Sequence, residues 1–353
     1  MKRKNKFIAV VNLCMHNEFN NPLNKLKCQD HKREHSPIKN KFDMIESNLL
    51  CSEAVSTDYV RIPQSHSSVS EIDKSTYTKK IYKILSHIKD GDIFQACFTY
   101  TKSLPFVGKG EDLYFLLRKI NPAPFSAYIR NSTIEVICCS PERFLKISPD
   151  NKIEARPIKG TRPRGKNSEE DLQQKKELQK SIKDKAENIM ITDLLRNDLG
   201  RVCELGSVKV KELFRIEEYA NVFQLVSIIE GVGKSSGSCD RINYIKSLFP
   251  GGSMTGAPKK RALEILRTLE SGRRGVYSGS IGYLGFNNSI DLNIVIRSVL
   301  LKNGQAFVGT GGGIVADSNP ESEYNETNFK VSNIISAVSY VNQLRNDSVL
   351  ITQ

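Results

Sequence analysis

Near the end of the chain three strand-like runs follow one another with only short connections: SGSIGYLGF over 278–286, IDLNIVIRSVL over 290–300 and GQAFVGTGGGIV over 304–315. Earlier, FSAYIR, IEVICCS and FLKIS form a second such group. Between the groups lie helical patterns. TYTKKIYKILSHIKDG carries Ile81, Ile84, Leu85 and Ile88 at helical spacing and ends at Gly91. EDLYFLLRKINP is a short helix stopped by Pro122, a long helical segment runs from Ser168 to Leu195, and further helices cover Pro258–Leu269 and about Pro320–Leu344. Strands in meander-like groups with helices between them define an α+β arrangement. A doubly wound sheet would alternate strand and helix one for one, and this chain does not.

The first 74 residues are less patterned. Phe7–Leu13 reads as a buried strand, NKLKCQDHKREHSPIKNK as a loop or insertion and residues 62–75 as a linker, so the expected division is a reduced N-terminal region over 1–74 and a main domain over 75–347. The formal net charge of +13 does not call for nucleic acid, because basic residues are interleaved with acidic ones, as in ELQKSIKDKAEN. No run reaches the roughly 20 apolar residues of a membrane span. The eight cysteines include no Cys-x-x-Cys and all five histidines precede residue 90, which is not the clustering of a zinc site. Free thiols buried in strands, in a reducing cytoplasm, are the expectation.

Two pairs of carboxylates stand three residues apart on helical segments, Asp184 with Glu187 and Glu323 with Glu326. Each pair shares a helix face, and magnesium takes one or two carboxylates together with waters and substrate oxygens. A solvated acidic face is the plain alternative. Asp193, Arg196 and Asp198 read as an ion-pair network capping the first of these helices. PGGSMTGAPKKRALE is a tight loop feeding a helix, where close backbone approach and free N–H groups suit an anion, although the order of a phosphate-binding loop is missing. Arg297, read as lying on a strand, matches a carboxylate bidentately, and Tyr277 adds a phenolic hydrogen bond. In ARPIKGTRPRG, Lys159 stands between Ile158 and Gly160 with Arg156, Arg162 and Arg164 nearby. Burial and nearby positive charge make a lysine nucleophilic by keeping it neutral; a solvated loop lysine is the other reading.

From about Ser75 to Leu344 the chain resembles the chorismate-binding domain shared by anthranilate synthase component I, aminodeoxychorismate synthase component I, isochorismate synthase and salicylate synthase. The resemblance rests on GDIFQ, SPERF, PIKGTRPRG, KDKAENIMITDLLRNDLGRV, LFPGGSMTGAPKKRALEIL, GSIGYLGF and GGGIVADSNPESEYNET, which occur in family order. It implies two large antiparallel sheets with surrounding helices, and Mg2+ held by Glu187 and Glu326 with Asp184 and Glu323 beside them. It further implies substrate contacts from Arg297, Tyr277 and the backbone of Gly311, Gly312 and Gly313, with Thr255 lining the ring pocket.

Two positions separate the branches of the family. Isochorismate and salicylate synthases resemble each other in carrying a lysine base where this chain has Gln95, and anthranilate synthases read Pro-Ile-Ala-Gly where this chain reads PIKG. The aminodeoxychorismate branch has a lysine there, so the resemblance makes Lys159 the nucleophile and Glu142 its acid/base partner. It implies chorismate and ammonia as substrates, a glutamine amidotransferase subunit as partner, a cytoplasmic setting, and neither nucleic acid nor membrane. Anthranilate synthase, isochorismate chemistry and non-catalytic binding are the alternatives. Gln224 stands where relatives usually carry histidine, and an amide donates a hydrogen bond but does not shuttle a proton near pH 7.

Overall fold

A computed structural model describes residues 69, 71–219, 222–234 and 238–350. The strand expected at Phe7–Leu13 and residues 62–68 and 70 of the 62–75 linker lie outside these residues. The described chain is α+β, with two antiparallel sheets and helices packed against them, as expected.

Helix α1 (Lys74–Lys89) starts where the Asp73 carboxylate accepts the Thr76 N–H at 2.8 Å, and ends at Gly91, whose φ of +80° suits the residue after a helix. Strand β1 (Gln95–Pro105) follows, then α2 (Gly110–Ile120), β2 (Phe125–Arg130), β3 (Glu135–Ser140), β4 (Arg143–Ile147), β5 (Lys152–Arg156) and β6 (Ile158–Pro163). The helical segment read as continuous from Ser168 is two helices, α3 (Ser168–Lys180) and α4 (Ile182–Val202). Ser181 leaves helical geometry between them, and its hydroxyl accepts the Asp184 N–H to cap α4. Then come β7 (Lys209–Glu218), β8 (Val222–Val232), α5 (Ser238–Leu248), the short β9 (Gly256–Ala257), α6 (Lys259–Leu269), β10 (Gly282–Leu284), β11 (Ile290–Asn293), β12 (Ser298–Lys302), β13 (Gln305–Ile314) and α7 (Pro320–Leu350). IDLNIVIRSVL is therefore two strands in different sheets, separated at residues 294–297.

One sheet runs β2-β3-β12-β13-β1-β9; the other runs β10-β11-β4-β5-β8-β6, with β7 also on β8. Helices α2 and α7 bury Leu113, Leu117, Val331, Ile334 and Val338 with Val299 and Val308 of the first sheet. Helices α1 and α6 bury Ile81, Ile84, Ile265 and Leu266 against Phe98 of β1. Helix α4 contributes Ile191, Leu195 and Leu199 to a core with Leu145, Ile147 and Ile153 of the second sheet, which Cys97 of β1 also enters. The thiols of Cys97, Cys138, Cys139 and Cys203 are free and buried. Among the described residues no helix is long and apolar enough to cross a membrane.

The expected Asp193–Arg196–Asp198 network divides in two. Asp193 and Arg196 form an exposed pair at 3.1 Å. Asp198, with 1% of its side chain exposed, instead lies 2.5 Å from Lys259 and also pairs with Arg201. Lys259 donates as well to the Leu248 carbonyl at 3.1 Å, so one ammonium ties the end of α5 and the start of α6 to α4. Removing Lys259 leaves a buried carboxylate with only the half-exposed Arg201 as partner, whereas an exposed pair contributes little. Lys259→Met is expected to lower stability by about 3 kcal/mol and Arg196→Ala by less than about 0.5 kcal/mol, read as shifts in the urea midpoint.

Candidate active site

Strand β6 does not pair regularly with β8. Ile158 faces Val226 and Thr161 faces Gln224, so three steps on one strand match two on the other. The extra residue makes a β-bulge, which bends a strand and re-aims its side chains. Lys159 and Gly160 lie in it. Gly160 has a φ of +88°, and a β-carbon there would stand 2.8 Å from the Asp184 Cγ and 2.9 Å from the Leu178 Cδ1. Backbone conformation and space both require glycine.

Lys159 reaches from this bulge toward the other sheet. Its Nζ lies 3.4 Å from where a β-carbon on Gly313 would stand, and the Gln95 amide nitrogen lies 2.6 Å from the same point. Gly311, Gly312 and Gly313 are in β13, opposite Thr99, Phe98 and Cys97 of β1. The Gln95 side chain is buried, and neither its oxygen nor its nitrogen has a hydrogen-bond partner. Buried polar groups are normally paired, so an orphaned amide beside an amine marks a place for a ligand.

The arginines around Lys159 are not a source of uncompensated positive charge. Arg156 pairs with Glu217, Arg162 with Glu177 and Asp184, and Arg164 with Asp171. The charge of Lys159 acts instead on Glu142, Glu187 and Glu326. Glu142 lies between β3 and β4 and is buried. Burial pushes its carboxyl up to about 7, against the opposing influence of the Ser253 hydroxyl and the Lys159 ammonium. Ser253 stands close enough to oppose the shift but makes no well-formed hydrogen bond, so its buried hydroxyl is also open to a ligand.

The four carboxylates on the helices have different partners. Asp184 accepts from Arg162 at 3.0 Å and is engaged. Glu323 is buried and accepts from the Ser318 hydroxyl at 2.7 Å; burial pushes its carboxyl up. Burial, with the neighbouring Asp184 and Glu326 charges, pushes Glu187 up as well, despite Lys159 and Lys183. Desolvation also works against Glu326, although half of its side chain is exposed, but Lys330, at 2.6 Å, with Lys183 and Lys159, holds it below its ordinary value. Among the described residues no three carboxylates, histidines or cysteines come close enough to hold a metal between them. Glu187 and Glu326 are left as the pair that could share a cation with other oxygens.

Arg297 lies in the bend between β11 and β12, with a φ of +51°, and not on a strand. Its guanidinium donates to the Lys330 carbonyl at 2.7 Å and has no carboxylate within ion-pair distance among the described residues. Burial pushes its pKa down. A half-buried arginine with no counter-ion among the described residues suits an incoming carboxylate. Tyr277 packs against Gly309, and burial pushes its phenol up. The Thr255 hydroxyl is directed back at the Gly251 and Gly252 carbonyls, 3.2 Å from each, so it braces its own loop. Gln224 is buried opposite Thr161, beside the bulge, with its side-chain oxygen unpaired. Ser253 and Lys330 were not singled out by the sequence. Lys330 carried a signal, four residues after Glu326; Ser253 carried only its place in a glycine-rich loop.

The chain as a whole is similar to known proteins. The family model for chorismate binding enzymes matches residues 4–336. The chain is 48% identical over 265 residues to a probable chloroplastic aminodeoxychorismate synthase of Oryza sativa subsp. japonica, covering 74% of this chain and 29% of that protein. It is 40% identical over 275 residues to aminodeoxychorismate synthase component 1 of Bacillus subtilis (strain 168), covering 78% and 58%. The chain thus spans about three tenths to three fifths of these relatives. The crystal structure of anthranilate synthase component I from Streptococcus pneumoniae TIGR4 superposes with a TM-score of 0.72 at 29% identity, over 86% of this chain and 67% of that one. The chain belongs to the family of chorismate binding enzymes.

Proposed function

We propose that this chain catalyses the amination of chorismate at ring carbon 4, giving 4-amino-4-deoxychorismate as component I of an aminodeoxychorismate synthase, a step toward 4-aminobenzoate and folate. The observation that carries this reading is the placement of Lys159 on the bulge of β6, within electrostatic reach of a buried Glu142 that titrates near neutrality. Once the Lys159 ammonium has released a proton to solvent, its amine bonds to ring carbon 2, both conjugated ring double bonds shift, and the carbon-4 hydroxyl leaves as water with the proton of Glu142. Ammonia then bonds at carbon 4, both double bonds return to their first positions, the Lys159 amine departs, and Glu142 recovers a proton from the new ammonium group. The acid is needed because hydroxide is a poor leaving group. Gln95 has no basic nitrogen to activate water at carbon 2, which disfavours isochorismate formation.

Arg297 and Tyr277 are assigned to the substrate's side-chain carboxylate, with the backbone of Gly311–Gly313, and Thr255 to the loop that lines the ring. Glu187, which makes no ion pair among the described residues, and Glu326 would hold a magnesium ion, with Asp184 and Glu323 supporting them. When bound, that ion neutralises the ring carboxylate. The two-part naming of the Bacillus subtilis relative supports a glutamine amidotransferase subunit as the source of ammonia, and buried free thiols fit a reducing, cytoplasmic setting. Gln224 leaves Glu142 as the principal proton donor.

Incubation with chorismate, Mg2+ and ammonium at alkaline pH is expected to give 4-aminobenzoate only after addition of an aminodeoxychorismate lyase. Lys159→Ala is expected to abolish that product. Anthranilate and pyruvate formed without the lyase would establish the second reading, anthranilate synthase, which the likeness to the Streptococcus pneumoniae structure favours.

Glu142→Gln tests the proton donor, with an expected loss in kcat of about 10²–10⁴-fold. The carboxyl is protonated below about pH 7 and ionised above it, so kcat/KM of the wild type is expected to have a limb that falls as pH rises through 7, absent in Glu142→Gln. Stability provides a second readout. Between the ordinary carboxyl pKa and about 7 the unfolded chain releases the proton while the folded chain keeps it, so the wild type loses stability as pH rises through that window. Glu142→Gln removes the penalty and is expected to be more stable than wild type at pH 8, by about 2–3 kcal/mol at most, as measured by urea unfolding.

A further inference from the structure

Lys330 stands one helical turn after Glu326 on α7, and its ammonium is 2.6 Å from the Glu326 Oε1. The same ammonium donates to the Gly311 carbonyl at 3.1 Å, which fixes it between the helix carboxylate and the glycine-rich strand. Lys330 therefore provides, from within the chain, the positive charge that a cation on Glu326 would otherwise bring. Lys183 and Lys159 act on Glu326 from further off, and Glu323 and Glu187 are the negative groups around it. We propose that Lys330 is the resident counter-ion of Glu326, occupying the place of a divalent cation in the free protein and moving aside when the cation arrives. The proposal rests on the reading that Glu326 is a cation ligand.

The pair has the properties such an exchange needs. Both side chains reach solvent, at 31% for Lys330 and 51% for Glu326, so the displaced ammonium can be hydrated without refolding. An ion pair four residues apart on a helix at this exposure is weak, and a doubly charged ion attracts a carboxylate more strongly than a single charge does. Lysine is a point charge on a flexible four-carbon stem and makes no bidentate fork, so it withdraws by rotation about its own bonds. The consequence is that cation affinity in the absence of substrate is held down by Lys330.

The test measures cation binding directly, without catalysis. Mn2+ binding by electron paramagnetic resonance and Mg2+ binding by titration calorimetry are recorded on the full chain without chorismate. The wild type is compared with Lys330→Met, Lys330→Gln and Glu326→Gln. Lys330→Met keeps most of the stem and removes the charge; Lys330→Gln keeps a donor for the Gly311 carbonyl and carries the test if the Met variant fails to fold. Both are expected to bind the cation about tenfold more tightly than wild type, and Glu326→Gln to lose most binding. If Glu326→Gln weakens binding but neither Lys330 variant tightens it, the counter-ion proposal is overturned while the ligand reading stands. If Glu326→Gln binds the cation as the wild type does, the ligand reading fails and the proposal fails with it.

Discussion

Between Ile158 and Thr161, β6 advances three residues while β8 advances two. A regular ladder would leave Lys159 alternating with its neighbours across one sheet; the mismatch re-aims it toward Gly313 of the other. Much of the site follows from this local geometry. Gly160 must take a left-handed conformation, and its missing side chain lets Asp184 and Leu178 close against the strand. That contact sets α4 beside the bulge and brings Glu187, three residues further along the helix, near the amine. On the other side, Gly313 leaves the room that Lys159 and Gln95 occupy.

The electrostatics of the site follow from burial. Charges withdrawn from water need partners or neutralise. The arginines nearest Lys159 have carboxylates of their own, and Asp184 is taken by one of them. What remains is a set of acids with unequal surroundings. Glu142 is buried deeply enough to hold a proton near neutrality, while Glu326 is kept ionised by Lys330. Two carboxyls of one residue type thus differ in state at one pH, which allows one to deliver protons and the other to meet a cation.

The glycine-rich loop between α5 and α6 is fastened at both ends. Lys259 secures it to Asp198 of α4 and to the end of α5. Arg274 donates to the Met254 and Cys97 carbonyls and to Glu270, joining the loop to β1. Glu270 in turn accepts from the Thr99 backbone and hydroxyl. These contacts hold Ser253 and Thr255 between the two sheets, so a loop with little side-chain bulk has a defined conformation.

The α+β class, the helices at 74–89 and 259–269 and strands β2, β3 and β13 of the first sheet were legible in the sequence, because apolar periodicity and end-capping residues are local properties. So was the inventory of reactive groups: Lys159 and the carboxylate pairs are recognisable by residue type and spacing, and Glu142 through the family resemblance. The break at Ser181 and the bend at Arg297 were not, since helical and strand periodicity continue across both while the backbone turns. Nor could spacing show that Asp184 would be taken by Arg162, that the arginines would be neutralised, or that Lys330 would cover Glu326. Those outcomes depend on which groups of distant segments meet and how much water is left between them. The sequence by itself determined which chemical groups are present and which short elements carry them. Only the tertiary structure decided which are charged, paired or open to a ligand, because pairing and desolvation are properties of the packed arrangement and not of any one segment.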